Sequence, residues 1–485
     1  MSDSFDVLVV GAGLSGIAAG YHLQAESPKL SYAILESREA LGGTWDLFRY
    51  PGIRSDSDMH TLGFSFRTWN GAKAIADGPA ILEYIQDTAR DHGIDRKIRF
   101  RHRVERASWS SKTARWTVEA RRTDTGEIVR LTCRFLLMCS GYYDYAGGYT
   151  PDFPGIERFH GRIVHPQKWT DDVDYEGKRV VVIGSGATAV TLVPELSKKA
   201  ARVTMLQRSP TYILARPAVD RVARWLDRRL PSKVAYDMSR WKNVLLGMAF
   251  FNFSRRYPAR AKKMVVNEVR KTLGPDFDVA THFTPRYGVW DQRVCLAPDG
   301  DFFTAMKEGR VDVVTDHIET FTETGLKLES GKELDADVVV TATGLKLLLL
   351  GDVQLTVDGE RIDVGKTMNY RGTMLSDVPN LAIALGYTNA SWTLKCDLVC
   401  EYVCRLLNHM QRNGYDKCVA RVKERSAEEE EPLLDFSSGY VQRSIALLPK
   451  QGKKAPWKLY QNYFLDLMGL RYGGIEDGVI ELSRI

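Results

Sequence analysis

The residues best placed to do chemistry in this 485-residue chain are glycines. Gly11, Gly13 and Gly16 form G-x-G-x-x-G directly after the apolar run VLVV and ahead of SGIAAGYHLQ, a stretch of helical character. Gly184, Gly186 and Ala189 form G-x-G-x-x-A after RVVVI, alanine being the accepted substitute at the third place. Such a loop turns tightly, lets the backbone approach a pyrophosphate and aims a helix N-terminus at the negative charge. One loop of this kind is a weak signal, and the residues about 20 positions beyond each are more specific. Glu36 closes the run YAILE, 20 residues past Gly16. A carboxylate there accepts hydrogen bonds from a ribose diol and favours an unphosphorylated ribose, hence FAD or NAD. The corresponding run VTMLQ ends instead in Gln207, followed by Arg208 and Ser209, with Arg208 standing 19 residues past Ala189. A missing carboxylate beside an arginine suits a 2′-phosphate, so NADPH is preferred over NADH at the second site. Two sites of opposite preference in one chain point to hydride transfer from NADPH to FAD.

Three Val-rich runs ending in a glycine turn, FDVLVVGAG, RVVVIGSG and DVVVTATG, suit parallel strands buried on both faces. The expected fold class is therefore α/β, with two Rossmann-like dinucleotide-binding domains. The FAD domain is assigned to 1–145 and 345–485, and the NADPH domain to 150–209 and 285–344. Between them, over 210–284, Arg, Lys, Leu and aromatics recur at helical spacing and glycine is sparse, which predicts an α-helical insertion or lid. Its most apolar piece, VLLGMAFFNF at 244–253, is half a membrane span and reads as a core helix or lid, with peripheral membrane contact through its Arg-rich flanks left open. The stretch GGTWDLFRYPGIRSDSD at 42–58 is too rich in Gly, Pro, Trp and Tyr for a plain helix or strand and predicts a functional loop. The acidic run at 427–432 predicts an exposed loop or helix end.

Composition sets limits on the rest. Hydrophobic residues at 44% and charged residues at 26% are ordinary for a globular protein, and no run approaches the roughly 20 apolar residues of a spanning helix. Lys and Arg exceed Asp and Glu by 67 to 61, too little to imply nucleic acid. The start MSDSFDVLVV has no signal-peptide pattern, from which a cytoplasmic location is expected. Seven cysteines without a C-x-x-C pair argue against a disulfide framework and against a metal site.

Between the glycine loops lies FHGRIVHPQKW, in which Phe159, Gly161, His165 and Trp169 fit the fingerprint F-x-G-x-x-x-H-x-x-x-W of flavin-containing and Baeyer-Villiger monooxygenases. Trp45, Tyr50, Pro51, Gly52 and Asp56, behind two glycines, fit a second signature of type I Baeyer-Villiger enzymes. Thr170 follows Trp169 where the fingerprint usually closes on Pro or Asp. Over nearly its whole length the chain resembles this family within the flavin-containing monooxygenase superfamily, most of all the ethionamide-activating branch, in stretches such as PRYGVWDQRVC and GYTNASWTL. The resemblance implies that FAD touches Ser15, Glu36, Thr44, Trp45, Asp46, Leu47, Asp56 and Val104. It implies NADPH along Gly184, Ser185, Gly186, Ala187, Thr188, Ala189 and Val190, with Arg208 and Ser209 at the 2′-phosphate and Arg54, Ser55 and Asp56 at the other end. Arg293 matches the arginine expected beside the flavin, with Asp56 holding it, and His165 matches the histidine concerned with domain coupling.

The activity so implied consumes NADPH and O2 and forms a C4a-peroxyflavin, which inserts oxygen next to a ketone carbonyl to give an ester and also sulfoxidises thioethers. Trp290, Tyr387 and Trp392 suggest an apolar pocket for such substrates, core packing being the alternative. Three other readings compete: a flavin monooxygenase limited to sulfur and nitrogen, a disulfide reductase, and a non-catalytic nucleotide-binding flavoprotein. A reductase needs a redox cysteine pair, whereas Cys396, Cys400 and Cys404 have the spacing of buried helix positions.

Overall fold

The computed structural model of the chain describes residues 3–422, 430–434 and 436–485. Of the acidic run, 427–429 lie outside the described residues, while Glu431–Pro432 pairs as a short strand with Lys450–Gln451.

A nine-stranded sheet is built from both ends of the chain. Ser4–Val10 lies parallel between Tyr32–Leu35 and Ile128–Met138, and Leu381–Ile383 adds in parallel to the far end of Ile128–Met138. Val7 to Val10 are buried, as a strand covered on both faces requires. His102–Ser110, Arg115–Arg122 and Ile128–Met138 form an antiparallel meander, and Arg115–Arg122 alternates buried and open residues along its length. Helices Leu14–Glu26 and Trp392–Asn413 pack on one face, so that Val7, Ile17, Leu398 and Tyr402 share a single core. The second sheet is wholly parallel, in the order Val311–Thr315, Arg202–Gln207, Arg179–Ile183, Val338–Thr341 and Arg162–Val164. Helix Ala187–Leu196 lies on one face, and the small antiparallel sheet of Ile318–Phe321, Gly325–Leu328 and Glu333–Asp335 covers the other with Phe321 and Leu326.

The segment expected to be helical from 210 opens with a strand, Ile213–Arg216, parallel to Cys295–Pro298. Helices Arg221–Asp227, Ser232–Arg256, Pro258–Leu273 and Val279–Phe283 come next. Asp220 caps the first by accepting from the Val222 and Ala223 N–H groups, Pro258 opens the third, and Gly274 at φ +94° ends it. Although the insertion is spliced into the nucleotide half of the chain, Ser232–Arg256 is pinned to the other unit. Buried Arg240 donates to the carbonyls of His60 (2.8 Å) and Gly63 (2.7 Å), and Tyr236 and Lys233 reach the carbonyls of Phe64 and Ser65.

The Arg240 guanidinium also faces Asp397 at 3.5 Å, and His22 stands 3.7 Å from the other oxygen of the same carboxylate while bonding Glu26 at 2.7 Å. Burial works to lower the His22 pKa, but Asp397 and Glu26 outweigh it and the group is raised to about 9. Its contribution to stability is thus complete below the unfolded histidine value near 6.5 and is lost as pH rises through about 9. His22→Gln is expected to flatten the decline of Tm between pH 6.5 and 9. Parallel melting profiles for the two proteins across that window would contradict this assignment.

Candidate active site

Both glycine loops join a buried strand to a helix whose start no side chain caps. Gly13 precedes Leu14–Glu26 and Gly186 precedes Ala187–Leu196, leaving N–H groups free to receive an anion. Gly11 has φ +102°, and a Cβ there would lie 2.6 Å from the Cys139 carbonyl oxygen. A Cβ on Gly16 would lie 1.9 Å from the Gly11 oxygen, so the helix starts hard against the turn. Glu36, 4% exposed, directly follows the strand Tyr32–Leu35, and its two carboxylate oxygens accept from the N–H groups of Ala12 and Arg38, each at 2.8 Å. The strand His102–Ser110, with buried Val104, passes alongside, the His102 N–H donating to the Glu36 carbonyl at 2.8 Å. Ser15 is buried and accepts from the Trp392 indole N–H at 2.8 Å. The loop beginning at 42 makes one helical turn, Thr44–Leu47, after Gly42 and Gly43, both at positive φ. Within it Thr44 Oγ1 lies 3.2 Å from the Tyr145 hydroxyl, Trp45 packs on the first core, Leu47 is half-buried, and Asp46 is clamped between Arg38 and Arg49 at 2.6 Å from each.

At the second loop, Gly184 has φ +122° with the Ala342 oxygen 2.3 Å from where its Cβ would lie, whereas a Cβ on Gly186 would meet nothing within 4 Å. The space above Gly186 is open, and Ser185, Ala187 and Thr188 border it while Ala189 and Val190 are buried in the helix–sheet core. Ser185 Oγ donates to the Ser209 carbonyl at 3.2 Å. Gln207 is turned inward, donating to the His282 carbonyl and Thr315 Oγ1. Arg208 is exposed and makes no ion pair among the described residues. The cradles therefore fit the two groups: uncapped helix starts for pyrophosphates, a fixed carboxylate at one ribose position and a free guanidinium at the other.

The loop at 50–58 lies between the two cradles. A Cβ on Gly52, at φ +73°, would lie 2.9 Å from Cβ of Glu195 on the nucleotide-side helix. Arg54 forms an ion pair with Asp301, at the start of Asp301–Lys307, and buried Ser55 donates to the Ser57 carbonyl. Asp56 Oδ2 lies 2.9 Å from Arg293 Nη1. The Asp56 charge outweighs burial and holds the Arg293 guanidinium well above its ordinary range, so it is always charged, and the neutral hydroxyls of Tyr142, Tyr143 and Tyr440 lie in the same surroundings.

Arg293 and Asp56 face a cavity of about 480 Å³ whose other walls include Trp290, Phe251, Met248 and Tyr387. Trp290 has φ +73°, a costly conformation for an aromatic residue, and packs on Phe250 and Phe251 of the insertion. Asp291 holds this tight turn by accepting from the Gly288 N–H at 2.7 Å. Trp392 is not part of the wall. Its ring stacks on Tyr142 at 5.0 Å and its N–H serves Ser15, which places it over the first glycine loop.

His165 stands away from the cavity. Its Nδ1 accepts from the Gln167 N–H at 3.2 Å and its Nε2 lies 3.3 Å from the Gly344 carbonyl. Burial holds its pKa below the ordinary histidine value, so the ring is neutral with the proton on Nε2. Gln167 reaches the Asp144 carbonyl at 2.7 Å. The two chain segments that connect the units are themselves paired, Tyr143 with Leu347 and Asp144 with Lys346. The fingerprint segment thus grips both connections at once.

Sequence reasoning missed Tyr142, Tyr143 and Tyr440 around Arg293, and Asp301 as the partner of Arg54. The aromatic- and glycine-rich stretch YYDYAGGY at 142–149 carried a signal, whereas Asp301 and Tyr440 had none.

Two dinucleotide folds, an apolar cavity between them and a fixed cation at its wall define a flavin- and nicotinamide-dependent oxidoreductase. The chain belongs to the flavin-binding monooxygenase-like family, whose model matches residues 74–349, and a model of NAD(P)-binding Rossmann-like domains matches residues 9–77. It is 55% identical to the FAD-containing monooxygenase EthA of Mycobacterium tuberculosis and 51% to EthA of Mycolicibacterium smegmatis, in each case over all of this chain and 99% or 98% of the relative. Similar solved structures include a steroid monooxygenase bound to NADP (TM-score 0.79, 23% identity, 99% of this chain and 100% of that one) and an ε-caprolactone-bound cyclohexanone monooxygenase (0.77, 21%, 99% and 100%). The protein is an FAD-dependent monooxygenase with an NAD(P)-binding Rossmann-like domain.

Proposed function

We propose that this monooxygenase inserts oxygen next to a ketone carbonyl, giving an ester, and oxidises thioethers in the same cavity. The observation that carries the reading is the Arg293–Asp56 pair at the wall of an otherwise largely apolar cavity. A ketone oxygen takes on negative charge when its carbon is attacked, and a fixed, permanently charged guanidinium stabilises that charge without reorganising. Asp56 sets the direction of the guanidinium from 2.9 Å. When bound, FAD supplies the activated oxygen and NADPH the electrons. Gly11, Gly13, Gly16, Ser15, Glu36, Thr44 to Leu47, Asp56 and Val104 hold the first, and Gly184 to Val190 with Arg208 and Ser209 the second. Arg54 acts through Asp301 to fix the loop between them, and neutral His165 couples the two units through their connections.

Holoenzyme supplied with NADPH and O2 is expected to convert cyclohexanone to its lactone and an aryl methyl thioether to its sulfoxide. Sulfoxide with no lactone would overturn the ketone reading in favour of heteroatom oxidation.

Arg208 gives a second test. Loss of a charge-assisted hydrogen bond is worth about 1.5–3 kcal/mol, so Arg208→Ala is expected to raise the KM for NADPH roughly 10- to 100-fold. KM for NADH should stay within about twofold, since NADH has no 2′-phosphate to lose. Equal changes for both nucleotides would remove Arg208 from the phosphate site.

A further inference from the structure

The helical insertion differs from the rest of the chain in charge. Residues 210–284 hold fifteen Lys and Arg against six Asp and Glu, whereas the rest of the chain holds 52 against 55. The positive excess of the whole protein therefore resides in this one segment.

Large apolar side chains collect on the same segment. Val234, Met238, Trp241 and Leu245 recur every three or four residues along Ser232–Arg256 and so form one stripe; all four are exposed, Leu245 at 59%. Trp241 meets Tyr463 with ring centroids 5.7 Å apart, and past Tyr463 the exposed side chains of Phe464, Leu465 and Met468 continue the patch. Helix Arg221–Asp227 is fixed beside the long helix by the Asp220–Lys242 ion pair. It carries Trp225, 53% exposed, with the Arg229 guanidinium 4.5 Å above its ring. Arg221, Arg224 and Arg228 make no ion pair among the described residues.

Apolar surface of this extent is covered by something in working proteins. Tryptophan and aliphatic side chains interleaved with unpaired arginines suit the headgroup layer of a bilayer, where ring and chain sink inward and guanidinium groups meet phosphates. None of the described helices is long and apolar enough to cross a membrane, so the contact is with its surface. We propose that the insertion and the adjoining turn at 463–468 form a docking face for an anionic phospholipid bilayer. Val222 and Leu246, both more than half exposed, belong to these helices and also line the cavity. The cavity therefore reaches the surface at the docking face, and an apolar substrate passes from lipid to cavity without crossing water. That last step rests on the cavity being the substrate site; the docking face does not.

Sedimentation with vesicles tests the face without any turnover. At about 50 mM salt most of the holoenzyme is expected to pellet with phosphatidylcholine–phosphatidylglycerol vesicles, and less than about a tenth with phosphatidylcholine alone or at about 500 mM salt. Trp225→Ser with Leu245→Ser, and separately Arg228→Glu with Arg229→Glu, are each expected to cut the pelleted fraction at least about fivefold, with FAD content and NADPH oxidation unchanged. No pelleting, equal pelleting with neutral vesicles, or wild-type binding by both double variants overturns the proposal. So does conversion of a dimer to a monomer by the Trp225 and Leu245 changes, which would assign the face to a second copy of the chain. Because no substrate is present, failure here leaves the ketone reading intact, and failure to form lactone leaves the docking face intact.

Discussion

Arg293→Ala is expected to lower the yield of oxygenated product by about 10²–10³, the usual loss when one fixed donor to a developing oxyanion is removed. The flavin should still be bleached by NADPH at close to the wild-type rate, because neither glycine loop nor Arg208 touches the altered position. NADPH consumed per product formed would then rise steeply. Arg293→Lys should recover only part of the loss: an ammonium keeps the charge but lacks the planar fork that Asp56 aligns from 2.9 Å. This pattern separates a catalytic role from a structural one, in which FAD content and Tm would fall and both substitutions would behave alike. Wild-type product yield from Arg293→Ala would remove the residue from the chemistry.

The second large effect concerns a single methyl group. In Gly16→Ala the added Cβ would lie 1.9 Å from the Gly11 carbonyl oxygen, a backbone atom that cannot move without opening the turn. The helix start and the turn must separate, and the purified protein is expected to retain less than about a tenth of its FAD, read from flavin absorbance per chain. Gly186→Ala is the informative partner, since nothing lies within 4 Å of its Cβ. That variant should keep its FAD and its Tm yet bind NADPH poorly, because the methyl group fills only the space that a pyrophosphate would use. One glycine is needed by the protein and the other by the ligand. Normal flavin content in Gly16→Ala would contradict the packing argument.

Much of this was legible in the sequence because it is local. Strand, glycine turn and helix succeed one another within about 25 residues, and Glu36 and Arg208 sit at fixed distances from their loops, so buried runs and spacing were enough. What escaped depends on pairing across long separations. The Arg54–Asp301 pair joins residues 247 apart, and Tyr440 reaches the Arg293 environment from the far end of the chain. The strand Ile213–Arg216 is half-exposed and basic, so its composition matched the helices after it, and only its partner Cys295–Pro298 makes it a strand. Trp392 takes the packing alternative, since aromatic character says nothing of direction: its indole turns to Ser15 and Tyr142.

The paired connections have a mechanical consequence. With Tyr143 tied to Leu347, and His165 and Gln167 gripping both segments, the two units cannot flex on independent tethers. A rotation of one sheet against the other would turn about this paired link. The insertion leaves the nucleotide unit but is anchored on the other by Arg240, and it therefore acts as a latch across that link. A swing that widened the cleft would have to stretch the Arg240 bonds to the His60 and Gly63 carbonyls, so resistance to opening would be set at a buried guanidinium outside the cavity wall.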